Sequence, residues 1–305
     1  MDAHPWHVGE RQAQVRVGIE QVPTGAGIRT FMPDQHRLFF AQLPFMVAAT
    51  LDAAGAPTAT ILAGGAGFVG SPDPTTLAIA AHNADPAGAR LTKGAPVGLL
   101  GIELHTRRRN RANGKVTFAG DPGLIVAIEQ SFGNCPQYIH PRLVELDPTA
   151  PPDVETFEGL DAGARAHVLG ADTFFVATAS GAGVENGGVD VSHRGGPPGF
   201  VQVDGDVLTI PDYRGNRYFN TLGNLLLDPR AALLFLDFKS GRLTQLQGVA
   251  EVLWDDRSLP NAERVWRFRV ERGFRRDSGL RQAAVQPPST GRAVPVVDAP
   301  MSETR

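Results

Sequence analysis

Between residues 190 and 217 the sequence concentrates hydrogen-bond donors. VSHRGG, at 191–196, sets a hydroxyl, an imidazole and a guanidinium in consecutive places where the surrounding pattern asks for a half-buried strand. YRGNR, at 213–217, adds two more guanidinium groups and an amide. Ser192, His193 and Arg194 in the first stretch, and Arg214, Asn216 and Arg217 in the second, are the residue types that hold an anion through charge-assisted hydrogen bonds. Gly195, Gly196 and Gly215 leave room for close backbone approach. The same passage occurs earlier in plain form: in TILAGGAGFV, at 60–69, Thr60, Ile61 and Leu62 stand where Ser192, His193 and Arg194 stand later. The whole chain has a net charge of −3, which offers no general electrostatic footprint for nucleic acid or an anionic membrane. A phosphate ligand therefore has to be held locally.

The elements that would position these donors repeat. FMVAAT at 45–50 matches FFVATA at 174–179, GFV at 67–69 matches GFV at 199–201, and TLAI at 76–79 matches VLTI at 207–210. Further on, PVGLLGIEL at 96–104 lies over RAALLFLDF at 230–238, Gly114 falls on Gly248, and IEQSF at 128–132 falls on VERGF at 270–274. The order is kept while the offset drifts from 129 to 142, so the 305 residues divide into two copies of one domain better than they form one large fold. Each copy reads as short β-branched or aromatic runs punctuated by Gly, Pro, Asp and Asn. Alternation is clear in Val265 to Val270, with Trp266, Phe268 and Val270 on one face. Helices are expected in QHRLFFAQLP at 35–44, DAGARAHVLG at 161–170 and RYFNTLGNLLLDP at 217–229, the last stopping where Pro229 disfavours a helical predecessor. The division that follows is an N-terminal arm at 1–36, copies at 37–148 and 149–277, and an aperiodic, mobile tail at 278–305.

Several function classes drop out. The start, MDAHPWHVGERQAQ, has no apolar core of a signal peptide, and no run reaches the roughly 18 to 20 apolar residues of a membrane helix, so a cytoplasmic location and no membrane partner are expected. Cys135, the single cysteine, rules out an intrachain disulfide or Cys-rich zinc site and reads as a small buried residue. The eight histidines show no metal-ligand spacing. GGAG and GGPPG lack the Lys-Ser/Thr ending of a phosphate loop. In TRRRNR, at 106–111, strand alternation splits Arg107, Arg109 and Arg111 from Arg108, which reads as a strand whose arginines meet acidic partners or line the seam between copies rather than as a nucleic-acid patch.

The order of strands, basic strand, turn and polar loop opening a helix, then LLLDPRAALLFLDF at 225–238 and GRLTQLQGVAEV at 241–252, resembles the FMN-binding split barrel of the pyridoxamine 5'-phosphate oxidase family. MPDQHRLFFAQLPF, GFVGSPDPTTL, GLLGIELHTRRRNRANG and FGNCPQYI resemble a flavin-nucleotide-binding subgroup with two such units in tandem. The fold implied is mainly β, two tandem split barrels related by an internal pseudo-twofold axis. The cofactor implied is FMN, held without metal at the seam by Ser192, His193, Arg194, Gly195, Arg214, Asn216 and Arg217. Gln245 and Gln247 are placed by the family pattern at the polar edge of the isoalloxazine ring. Copy one has Leu62 for Arg194, and Arg111 and Asn113 for Gln245 and Gln247, and reads as a partner wall.

The resemblance implies a flavin-dependent oxidoreductase or electron-transfer protein, acting on a small molecule or a redox partner with NAD(P)H or a reductase as electron source. Oxidation of pyridoxamine phosphate is not implied, because the family's RxVLLK-type pattern has become DVSHRGG here. Two alternatives stay open: a heme-binding or heme-degrading split barrel with His193 as axial ligand, and a non-catalytic flavin carrier. The arrangement is also compatible with a further homodimer.

Overall fold

Period-two alternation, interrupted by Gly, Pro and Asp, gives a structure dominated by antiparallel strands. The computed structural model describes residues 5–19, 27–81, 85–121, 123–147 and 153–283. Helix α1 (Val8–Arg16) and helix α2 (Asp34–Ala41) precede strands β1 (Phe45–Leu51), β2 (Pro57–Ala63), β3 (Val69–Gly70), β4 (Thr76–Ile79), β5 (Pro96–Glu103), β6 (Arg108–Gly120) and β7 (Gly123–Gly133). After β8 (Val144–Leu146), β9 (Glu155–Glu158) and α3 (Ala162–Gly170), the pattern recurs as β10 (Thr173–Ala179), β11 (Val189–Gly195), β12 (Gln202–Asp204) and β13 (Val207–Tyr213). It continues with α4 (Asn220–Leu227), β14 (Arg230–Leu236), β15 (Arg242–Leu253) and β16 (Ala262–Asp277), and ends in β17 (Leu280–Gln282).

The two copies have one topology. The first sheet runs β2-β1-β5-β6-β7-β4-β3 and the second runs β11-β10-β14-β15-β16-β13-β12, the same order strand for strand. One irregularity coincides as well: the ladder slips between Asn113 and Gly114 in β6 and between Gln247 and Gly248 in β15. A Cβ at either glycine would collide with the backbone carbonyl of the neighbouring strand, Ala127 in one case and Arg269 in the other. The ladders correct one detail of the sequence match. Val47 pairs with Leu100 and Phe175 with Leu234, so β1 and β10 align at an offset of 128, not the 129 at which FMVAAT overlies FFVATA. A one-residue slip exchanges the two faces of a strand, and burial confirms the shifted register: Phe45, Val47 and Ala49 share a core with Phe175, Ala177 and Ala179.

Three cores result. Met46, Ala48, Leu99 and Val126 fill the first barrel, and Phe174, Val176, Leu233 and Trp266 fill the second. The third lies between them, where Val47, Ile61 and Leu100 meet Phe175, Val191 and Leu234. Contacts across this seam are reciprocal: β5 packs on β11 as β14 packs on β2. That reciprocity is the internal pseudo-twofold. Each buried Val, Leu, Ile or Phe contributes about 1.5–3 kcal/mol, so a strand such as β10, buried on both faces, joins one barrel core to the seam.

Two segments depart from the sequence reading. The arm at 1–36 contains α1, whose buried residues Gly9, Glu10, Ala13 and Gln14 are small or polar and so leave no apolar stripe. Its N-cap is His7, which accepts from Gly9 N while Glu10 accepts from His7 N; histidine is not a preferred cap. Leu280–Gln282, at the start of the expected tail, pairs with β8. The remainder of that tail, from 284 on, lies outside the described residues. No helix among the described residues is long and apolar enough to cross a membrane.

Candidate functional site

Strand β11 carries donors on both faces. Along it, Val189, Val191 and His193 point toward the seam core, where the His193 ring meets Phe175 edge-on, while Asp190, Ser192 and Arg194 take the alternate positions. Opposite β11 lies β6 of copy one. Arg109 donates to His193 Nδ1 at 2.9 Å, Arg111 donates to Asp190 at 3.1 Å and to Ser192 Oγ, and Asn113 donates to Asp190 at 2.7 Å. From the helix side, Thr221 donates to Ser192 Oγ at 2.9 Å.

Beside these contacts opens a cleft walled by both copies. Arg109 and Arg111 come from β6, Asn134, Cys135 and Tyr138 from the segment leaving β7, Ser192 to Gly195 from β11, and Asn216, Arg217 and Phe219 to Leu222 from the loop and first turn of α4. The segment after β7 is fastened over β11: Tyr138 Oη donates to the Arg214 carbonyl at 3.0 Å and His140 Nε2 to the Gly196 carbonyl at 3.0 Å. A Cβ on Gly195 would strike the Tyr138 carbonyl, which is why glycine follows Arg194. Arg217 and Phe219 both have φ of 60°, a left-handed conformation that non-glycine residues adopt at local cost, and Phe219 caps α4 without a side-chain hydrogen bond.

The electrostatics are those of a site short of negative charge. Burial, with Arg111 and Arg194 nearby, pushes the Arg109 guanidinium down to about 9. Burial first, then Arg109 and Arg194, holds His193 well below the usual histidine range, so its ring is neutral. Because a guanidinium has no acceptor, His193 Nδ1 accepts from Arg109 and the ring proton sits on Nε2. Among the described residues, that Nε2 has no hydrogen-bond partner, and neither do Nε of Arg109, Arg111 and Arg194 or Nδ2 of Asn134, all buried.

Of the residues singled out by sequence, Ser192, His193, Arg194, Gly195, Asn216 and Arg217 line this one cleft. Arg214 is exposed and meets the site through its backbone carbonyl. Gln245 and Gln247 lie elsewhere, at the opposite end of the seam, where β15 faces β2. Gln245 Oε1 accepts from Thr58 Oγ1 and Ala59 N, both at 2.7 Å, and Gln247 Nε2 donates to Asp52 at 3.1 Å. The pseudo-twofold explains the separation: it sets β15 against β2 of the other copy, as it sets β6 against β11. Arg109 and Arg111 therefore complete the cleft in place of the glutamines. Their signal was TRRRNR, whose alternation put Arg109 and Arg111 on one face; Asn134, Tyr138 and Thr221 gave no signal of their own.

Comparison with known families agrees with this architecture. A model described as pyridoxamine 5'-phosphate oxidase matches the chain twice, over residues 32–155 and 160–298. The chain belongs to the pyridoxamine 5'-phosphate oxidase family. Among solved structures, HupZ of Group A Streptococcus is similar at 14% identity, covering 41% of this chain and 98% of that chain, with a TM-score of 0.30. An FAD-binding protein of Mesorhizobium loti is similar at 17% identity, covering 40% and 96%, with a TM-score of 0.27. HutZ, described as the heme storage protein of Vibrio cholerae, is similar at 14% identity, covering 38% and 93%, with a TM-score of 0.25. No curated protein sequence gave a match.

In this member of the pyridoxamine 5'-phosphate oxidase family the cleft rests on a buried polar layer that includes α1. Glu10 accepts from His7 N at 3.0 Å and from Asn220 Nδ2, and Asn224 donates to Thr178 at 3.0 Å. Burial, then the Asp190 charge, raises the Glu10 carboxyl to about 8, with Arg111 opposing, while His7 is lowered chiefly by burial. A carboxyl raised in the folded state binds its proton more tightly there than in the unfolded chain. Its contribution is therefore present below about pH 4.5 and lost as pH rises toward 8. The histidines His7, His36, His167 and His193, each held low chiefly by burial, add stability as pH rises through 6.5, so the expected result is a difference: in thermal melts between pH 5 and about 8 the Tm of the natural chain falls relative to that of Glu10→Gln. Parallel profiles would show that Glu10 does not titrate in this interval.

Proposed function

We propose that the chain is a flavoprotein that binds FMN non-covalently in the cleft between its barrels and serves as an oxidoreductase or electron-transfer protein. The observation that carries this reading is the convergence of cationic and amide side chains on one cleft, lined by Arg109, Arg111, Asn134, Arg194 and Arg217. A ligand rich in acceptors and carrying a dianion is what such a wall suits. Family membership adds to it, since the family generally binds flavin.

Ser192, Arg194, Arg217 and the first N–H groups of α4 would hold the phosphate, and His193 and Arg109 would donate to acceptors on the ring. Bound FMN would supply the redox chemistry; the protein's share is binding, orientation and the cationic field. NAD(P)H or a reductase is the proposed electron source, and a small molecule or redox protein the acceptor.

The proton position on His193 favours this reading over heme. An axial imidazole uses a nitrogen lone pair, and Arg109 already takes Nδ1 and leaves the proton on Nε2. The test is the spectrum of the purified protein. Two broad near-ultraviolet and blue bands with green fluorescence are expected, released on denaturation as FMN. A single intense Soret band, or no bound chromophore together with no uptake of added FMN, would overturn the proposal. Turnover with NADH or NADPH then separates an enzyme from a carrier.

A further inference from the structure

The two ends of the seam are related by pseudosymmetry but are filled differently. Two residues before the Ala87 cap of the short 3-10 turn at Gly88–Arg90 stands Asp85; two residues before the Phe219 cap of α4 stands Arg217. Asp85 is 1% exposed. Its Oδ1 accepts from the N–H of Ala87 at 3.1 Å and of Gly88 at 2.7 Å, and its Oδ2 accepts from Thr60 Oγ1 at 2.5 Å and Arg276 Nε at 2.7 Å.

The two side-chain donors among these have counterparts at the cleft. Ala48 pairs with Thr60 as Val176 pairs with Ser192, so the two hydroxyls are equivalent. Arg111 pairs with Phe132 and Gln245 with Phe274, which places Asn134 and Arg276 at matching positions two residues on. Part of the donor set that lines the open cleft, Ser192 and Asn134, corresponds to Thr60 and Arg276 at its counterpart, where they are wrapped around a carboxylate supplied by the chain itself; Arg194 and Arg111 have Leu62 and Gln245 in their places. Where copy one has that carboxylate, copy two has the guanidinium of Arg217.

We infer that Asp85 is a built-in anion closing the copy-one counterpart of the cleft, so that the chain binds one anionic ligand and not two. Without that carboxylate, Arg276 and Thr60 take up a phosphate-class anion instead. The single-ligand half of this inference rests on the proposed FMN reading; the internal-anion half stands on geometry alone. A counter-charge 2.7 Å from a guanidinium in a site closed to water leaves no room for a second anion and, once removed, leaves a buried cation uncompensated.

The experiment compares thermal unfolding of the natural chain, Asp85→Gly and Asp85→Gly/Arg276→Leu in sodium chloride and in inorganic phosphate at matched ionic strength. Asp85→Gly is expected to melt on the order of 10 °C lower in chloride, since an unpaired buried cation is costly. Phosphate should restore most of that loss, beyond whatever it adds to the natural chain, and the double variant should show no such excess. Equal phosphate shifts in natural chain and single variant would overturn the internal-anion role. If Asp85→Gly does not fold, Asp85→Ala removes the same carboxylate without the added backbone freedom of glycine, and the same criterion applies to it. Titration of the natural chain with FMN is expected to saturate at one per chain. Two per chain would overturn the inference; none would overturn the FMN reading and leave the phosphate experiment to decide the role of Asp85.

Discussion

Arg111→Leu is expected to destabilise the folded chain by about 3–5 kcal/mol, the usual cost of leaving a buried charge without its partner. Arg111 is 5% exposed and Asp190 is 7% exposed. Their ion pair at 3.1 Å is the only cationic contact Asp190 makes among the described residues; Asn113 and Asn224 supply the rest of its hydrogen bonds. Removing the guanidinium leaves the Asp190 carboxylate facing Glu10 in the same buried layer. Urea unfolding measures the loss, and the double variant Arg111→Leu/Asp190→Asn should recover more than half of it, because the stranded charge is then gone. A loss below about 1 kcal/mol for the single variant, in the range of exposed pairs, would mean that water reaches Asp190 and that the layer is not closed.

Arg194→Leu has its largest effect on ligand binding. Arg194 touches Asp212 only loosely, at 3.6 Å, and Asp212 keeps its tighter bond to Arg264 when Arg194 is gone. The fold is therefore retained, while a charge-assisted bond of about 1.5–3 kcal/mol to the proposed FMN phosphate disappears. Affinity for FMN should fall roughly tenfold to a hundredfold, and affinity for riboflavin, which lacks the phosphate, much less. Leu62, which holds the copy-one position, is buried in the first barrel's core and offers no donor. Fluorescence titration of both flavins reads the result. Equal weakening of FMN and riboflavin by Arg194→Leu would place Arg194 away from the phosphate.

The repeat, the strands and the basic character of β11 were legible in the amino-acid sequence because each is a local property. Alternation of Trp266, Phe268 and Val270 follows from the two-residue period of a strand, and Pro229 ends α4 through the backbone of its neighbour. Ser192, His193, Arg194 and Arg217 stood out as polar residues in positions that their own flanking pattern would bury or turn.

What the chain does with those residues was decided by the packing of one copy on the other. Gln245 and Gln247 lie in the same copy as Ser192 yet face Thr58 and Asp52, while Arg109 and Arg111, from the other copy, reach His193 and Asp190. A twofold relation exchanges partners between halves, and no spacing within one half records that exchange. The one-residue register of β1 against β10 is likewise set by which face meets the seam, not by the best local match of letters. Helix α1 is invisible to periodicity because its buried face is polar and small, satisfied by His7, Asn220 and the Tyr218 carbonyl rather than by an apolar core. The sequence by itself determined two barrels and a strand rich in donors; the tertiary structure decided which donors share a cleft, because only packing across the seam brings residues some 80 positions apart, such as Arg109 and His193, within hydrogen-bond distance.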